Sequence, residues 1–79
     1  MTTELGLIAA LCRESAKLGL NVGMSDARPA AVIRTGARPP TWITVGVEGE
    51  FFEWHGAEIR HSITDPAGAA ALILKCLTS

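Results

Sequence analysis

Residues 42–54 read WITVGVEGEFFEW, and this stretch decides the fold of the chain. Two runs rich in β-branched and aromatic residues, Trp42 to Val47 and Glu50 to Trp54, are separated only by Glu48-Gly49. Glycine in a two-residue turn supplies the positive φ that a tight hairpin needs. The stretch therefore predicts two antiparallel strands joined by a hairpin turn.

The turn length fixes the register of the two strands and hence which side chains share a face. It predicts that Val45 lies opposite Phe52 and that Ile43 lies opposite Trp54. A second tight turn at His55-Gly56 predicts a third strand within residues 57–63, in a meander at about 41–62, with Phe52 opposite Ile59. The apolar face of this meander then holds Ile43, Val45, Val47, Phe52, Trp54, Ala57 and Ile59.

The other face of the meander, called the open face below, mixes charged residues with two large aromatic residues. Its candidate interaction residues are Trp42, Thr44, Phe51, Glu53, Glu58 and Arg60. The predicted register places Glu53 beside Glu58. A sheet face in water is usually polar, so the aromatic side chains favour a contact surface over a bare one. The alternative is that Trp42 folds over a sheet edge or completes the core.

Helical periodicity brackets the strands. Apolar residues at Leu5, Ile8 and Cys12 predict a helix over residues 3–18, capped by Thr2 or Thr3 and stopped by Gly19. Asp65-Pro66 predicts a second helix that begins at Pro66 and runs nearly to the end.

Residues 20–25 and 31–34 also read as strands, whereas residues 26–29 read as a turn and residues 36–40 as a break. The prediction is one small α+β domain over residues 1–79. It is a two-layer sandwich in the order helix, antiparallel β-meander, helix, with both helices on one sheet face. The predicted core contains Leu5, Ile8, Cys12, Val45, Phe52, Trp54, Ile59, Leu72, Ile73 and Cys76.

Length and charge exclude several classes of protein. With 79 residues the chain is too short for a large enzyme fold. Seven Lys and Arg against eight Asp and Glu give a net charge of -1, and the basic residues are scattered. The apolar stretches at residues 5–12 and 69–74 are far below the roughly 20 residues that cross a bilayer, so we expect a cytoplasmic protein with no membrane partner.

No residue pattern predicts catalysis, a cofactor or a metal site. His55, His61, Cys12 and Cys76 lack metal-ligand spacing, and no serine or cysteine stands in a recognisable nucleophile motif. The two cysteines are predicted to be free structural thiols. One alternative is a small thiol- or carboxylate-dependent enzyme that uses Cys12 or the Glu53 and Glu58 pair.

A second alternative is a nucleic-acid-binding domain, because helix, three strands, helix is the order of the double-stranded RNA-binding domain. That family reads phosphates with lysines at the start of its second helix. Here residues 65–70 contain no basic residue, and Lys75 comes late in the helix. The charge distribution therefore opposes nucleic-acid binding.

The C-terminal half contains Phe52-x-Trp54-x-Gly56, Ile59, His61, Asp65-Pro66 and Ala69-Ala70. This pattern, together with the alanine- and arginine-rich composition, resembles small uncharacterised α/β proteins of actinobacteria. The resemblance covers about half of the chain, supports the fold prediction and implies no catalytic residue.

The sequence thus favours a non-enzymatic protein-interaction or regulatory module with no small-molecule ligand. Its expected partner is protein, most simply a second copy related by two-fold symmetry through the open face.

Overall fold

The computed structural model describes residues 3–25, 29–36, 38–46, 49–54 and 59–78. Within them two helices flank a run of strands, which confirms the α+β class and the helix, meander, helix order. In chain order the elements are α1 (Glu4–Lys17), β1 (Asn21–Ser25), β2 (Ala30–Thr35), β3 (Arg38–Val45), β4 (Phe51–Trp54), β5 (Ile59–Ser62) and α2 (Pro66–Thr78). Neither described helix is long and apolar enough to cross a membrane.

Helix α1 begins and ends where its capping residues predict. The Thr3 hydroxyl accepts a hydrogen bond from the Gly6 amide at 3.0 Å. At the other end Gly19 has φ 83°, and the Leu20 amide donates to the Ser15 carbonyl at 3.2 Å. This is the Schellman arrangement, which satisfies carbonyls of the last helical turn and turns the chain back into β1.

The five strands form one antiparallel sheet in the order β1-β2-β3-β4-β5. The expected break over residues 36–40 is wrong, because β3 begins at Arg38 and includes both prolines, Pro39 and Pro40. Proline has no amide hydrogen for a regular ladder. The register between β2 and β3 shifts between Ile33 and Thr35, and this irregularity lies opposite the prolines.

The first hairpin has the predicted register. Val45 lies opposite Phe52, and Gly49 has φ 74°. The expected two-residue turn at Glu48-Gly49 falls partly outside the described residues, and the Gly49 amide donates to the Gly46 carbonyl at 2.8 Å. The second register is wrong: Phe52 lies opposite His61, and Trp54 lies opposite Ile59. Four residues, 55–58, separate β4 from β5, so the expected turn at His55-Gly56 falls outside the described residues. A shift of two residues keeps every side chain of β5 on its predicted face.

Both helices cover the same face of the sheet, as predicted. A single core cluster joins α1, α2 and the inward residues of β2, β3 and β4. Its members are Ile8, Leu11, Ala31, Ile33, Ile43, Phe52, Trp54, Ala69, Ala70 and Ile73. The helices and one sheet face thus form the two layers, and no described helix covers the open face.

The buried face of α1 is rotated from the prediction. Ile8, Leu11 and Ser15 are buried, whereas Leu5 is 40% exposed and does not belong to the core. Four other predicted core residues, Cys12, Val45, Ile59 and Leu72, are half-buried and pack against the core cluster, and Cys76 is half-buried. The inward residues of the sheet decide which side of α1 is covered, and periodicity within one helix does not contain that information.

Candidate interaction face

Strand register brings the predicted interaction residues of β3, β4 and β5 onto one side of the sheet. Trp42 and Thr44 alternate with the buried Ile43 on β3, Thr44 lies opposite Glu53, and Glu53 lies opposite Arg60. Phe51 shares the parity of Glu53 on β4. These five residues lie on the open face, and Glu58 lies outside the described residues.

Trp42 occupies the central strand of the sheet and is 53% exposed, more than any other large apolar side chain in the described ranges. Opposite it on β2, Val32 is only 6% exposed although no helix covers this face. Val32 is therefore covered by groups other than the two helices. Trp42 is neither a core residue nor a cover for a sheet edge, so a large aromatic surface faces solvent.

On the open face, the Glu53 side chain packs over the neighbouring chain segment at the end of β3. A Cβ atom added at Gly46 would lie 2.6 Å from Glu53 Oε2, so the absence of a side chain there makes room for the carboxylate. The Gly46 amide donates to the Phe51 carbonyl at 2.8 Å, which holds this end of the hairpin together. The Glu53 side chain is consequently 21% exposed, and Phe51 is half-buried.

The predicted pair of Glu53 and Glu58 is wrong. The cross-strand neighbour of Glu53 is Arg60, whose Nε lies 3.3 Å from Glu53 Oε2. Opposite charges directly across two strands attract, whereas the predicted pair would repel. The carboxylate of Glu53 thus has a cation as its cross-strand neighbour, and Glu58 lies outside the described residues.

Arg34 belongs to the open face and was missed in the sequence. It is exposed on β2, lies opposite Asn21, and follows the buried Val32 by one alternation. Within the described part of the chain it makes no ion pair. The alternation of Val32 and Arg34 in the sequence indicates that these two residues share a face. It does not show that this is the face of Trp42, because that assignment requires the strand register across residues 36–40.

His61 lies on the opposite, helix-facing side of the sheet. Its Nε2 is 3.0 Å from Asp65 Oδ2, and Asp65 Oδ1 accepts a hydrogen bond from the Gly68 amide at 3.1 Å. The hydrogen bond with His61, followed by the bond from Gly68, lowers the pKa of Asp65. Asp65 is therefore the cap of α2. Among the residues described, no three metal-ligating side chains cluster together.

Neither cysteine forms a disulfide bond, and both are half-buried. Cys12 Sγ donates to the Gly23 carbonyl at 3.7 Å, and burial raises the pKa of the Cys12 thiol. A nucleophilic cysteine needs the opposite shift, because the thiolate is the reactive form. The environment of Cys12 is that of a small packed side chain.

Comparisons of the chain with protein-family models, with curated proteins and with solved structures find no match. The resemblance to small actinobacterial proteins therefore stays a prediction.

Proposed function

We propose that this protein is a non-enzymatic interaction module that associates with a second copy of itself through the open face. The observation that carries the proposal is Trp42, which is 53% exposed in the middle of a sheet face that no described helix covers. Tryptophan is among the residues that contribute most to protein interfaces, since it buries a large rigid surface at little entropic cost.

The surroundings of Trp42 have the anatomy of a small interface. Trp42 is the exposed apolar residue at the centre, Val32 beside it is buried, and Arg34, Thr44 and Arg60 are exposed polar or charged residues around it. An aromatic centre with a polar rim is the usual arrangement of a protein contact. A monomer would gain nothing from leaving this indole in water.

The size of the face predicts a weak dimer. Five strands at about 4.8 Å and about five residues at about 3.3 Å give a face of about 24 by 17 Å, or about 400 Å² per copy. This is a modest part of the 4959 Å² surface of the protein. The buried total of about 800 Å² is below the roughly 1,200 Å² at which stable specific interfaces begin and falls in the range of weak, transient contacts. We therefore expect reversible association at tens to hundreds of micromolar.

Sedimentation velocity over a concentration series tests the proposal. The average mass should rise towards that of a dimer for the natural protein and stay monomeric for Trp42→Ser. The matched control is Met24→Ser, because Met24 is also exposed, at 44%, but lies on the helix-facing side opposite Ala31. Circular dichroism verifies that each variant is folded. A monomer at every concentration, or equal association of Trp42→Ser, would contradict the proposal.

The same samples distinguish the two alternative functions, a nucleic-acid-binding domain and a small thiol- or carboxylate-dependent enzyme. A monomer that is retained on immobilised RNA in a salt-dependent manner would support the nucleic-acid-binding alternative. The described sheet has five strands where the double-stranded RNA-binding order has three, and α2 begins without a basic residue in its first two turns. Rapid alkylation of Cys12 in the native monomer would support the thiol enzyme.

A further inference from the structure

The charged residues of the open face are arranged diagonally about Trp42. Val32 lies opposite Trp42, and Arg34 lies one alternation beyond Val32 on β2. On the other side, Glu53 lies opposite Thr44, one alternation from Trp42 in the reverse direction along β3. Arg34 and Glu53 are therefore each one strand and two residues from Trp42, at opposite ends of a diagonal.

This diagonal is self-complementary under two-fold symmetry. A strand spacing of about 4.8 Å and a two-residue rise of about 6.6 Å put the Cα atom of each charged residue about 8 Å from the Trp42 Cα in the plane of the sheet. A two-fold axis that passes through Trp42, parallel to the face and perpendicular to the diagonal, exchanges the two ends. When two copies meet on that axis, Arg34 of each copy faces Glu53 of the other.

We infer that the second copy docks in this orientation, with the two Trp42 side chains at the axis and two Arg34–Glu53 ion pairs between the copies. The inference rests on the proposed function and assigns its partner geometry. Strands of the two sheets then cross at about 70°, nearer to orthogonal than to aligned sheet packing. Both copies use the same patch and each ion pair occurs twice, as a closed two-fold interface requires.

Both groups are available for this contact. Arg34 is exposed and makes no ion pair among the described residues. Arg60 binds Oε2 of Glu53, and a carboxylate has a second oxygen and further lone pairs for another donor. The pair of Glu53 and Arg60 holds the carboxylate in place, so that little side-chain entropy is lost on docking.

Charge reversal tests the orientation. Arg34→Glu places acidic residues at both ends of the diagonal, and Glu53→Lys places basic residues at both ends. Each variant alone should associate about tenfold more weakly than the natural protein, because both contacts become repulsive. An equimolar mixture should form a heterodimer with close to natural affinity, since both of its contacts are complementary. Fluorescence anisotropy of one labelled chain measures all three affinities.

Two further variants keep the test decisive. Glu53→Lys combined with Arg60→Glu retains an ion pair within the chain and replaces the single variant if that one unfolds. Arg13→Glu on the exposed side of α1 changes the net charge as Arg34→Glu does and should leave association unchanged.

The outcomes distinguish this inference from the proposal beneath it. If the natural protein dimerises and Trp42→Ser does not, but the mixture of reversed charges binds no better than its components, the orientation is wrong and the interaction face stands. If the natural protein does not dimerise at all, both the proposed self-association and the docking orientation are wrong.

Discussion

Gly68 illustrates how one missing side chain organises a helix start. The Asp65 carboxylate accepts from the Gly68 amide and from His61, and all three groups meet in a small space. A Cβ atom at position 68 would overlap Asp65 Oδ2 and would lie 2.8 Å from His61 Nε2. The glycine therefore makes room for the contact between the end of β5 and the start of α2.

We expect Gly68→Ala to lower the free energy of unfolding by about 1 kcal/mol, although alanine is the better helix former. The reason is displacement of the Asp65 cap. Urea denaturation measures the effect. In an Asp65→Ala background the same substitution should become neutral or stabilising by up to about 1 kcal/mol, because the carboxylate is gone and the His61 ring, which it no longer holds, is free to move aside. An equal loss in both backgrounds would show that the cap is not the cause.

The acid sensitivity of the fold should depend on Asp65. Its hydrogen bond with His61, the bond from Gly68 and the charge of His61 place the pKa below the ordinary aspartate value. A carboxyl whose pKa is lower in the folded chain stabilises the fold above the unfolded-state pKa, and this contribution is lost as the pH falls. The loss should therefore begin near pH 4 and continue downward.

Thermal unfolding between pH 6 and pH 2.5 measures this dependence. Asp65→Asn retains a capping oxygen but no titrating charge, so its melting temperature should fall less over that window. His61→Gln removes the largest cause of the lowered pKa and should give an intermediate slope. If the natural protein and Asp65→Asn decline in parallel, the ionised cap contributes no pH-dependent stability.

At the scale of the elements, the junction between α1 and β1 depends on backbone conformation. Gly19 has φ 83° at the end of α1, whereas Gly23 within β1 has no positive φ, and a Cβ atom there would meet nothing within 4 Å. The two positions therefore differ in whether the backbone conformation requires glycine, and they do not differ in the space available for a side chain.

Alanine substitution should separate the two positions. Gly19→Ala should cost about 1–2 kcal/mol, since a left-handed conformation disfavours a side chain. Gly23→Ala should be neutral or stabilising by about 0.5 kcal/mol, because glycine is entropically costly in a strand. Chemical denaturation compares them. Equal effects at both sites would mean that α1 does not end through its left-handed residue.

Elements with local signals were predictable from the sequence, and relations between elements were not. The turn at Gly49 and the cap at Asp65 each depend on adjacent residues, so the first hairpin register and the start of α2 are correct. The four-residue connection before Ile59 was not visible, because His55-Gly56 resembles a two-residue turn.

The covered side of α1 also depends on distant residues. Ser15 is buried beside the apolar Ile8 and Leu11, and its hydroxyl has no hydrogen-bond partner among the described groups. No sequence rule selects a serine for the core over Leu5. Likewise Arg34 joins the open face only through the registers of three strands.

For the whole molecule, the two-layer arrangement gives the two tryptophans opposite environments. Trp54 faces the helices and is 2% exposed, whereas Trp42 faces away from them and is 53% exposed. Indole fluorescence therefore reports separately on the core and on the open face, and Trp42→Phe isolates the signal of the buried ring.

This contrast predicts how acrylamide quenching depends on protein concentration. In dilute solution one tryptophan should be readily quenched and the other protected. As the concentration passes into the range in which sedimentation shows dimers, the quenchable fraction should shrink, because contact between two open faces removes Trp42 from water. Trp42→Phe should show only protected fluorescence at every concentration. A dimer in which Trp42 stays fully quenchable would place the contact elsewhere on the molecule, such as at the edge strand β1, where Met24 is exposed.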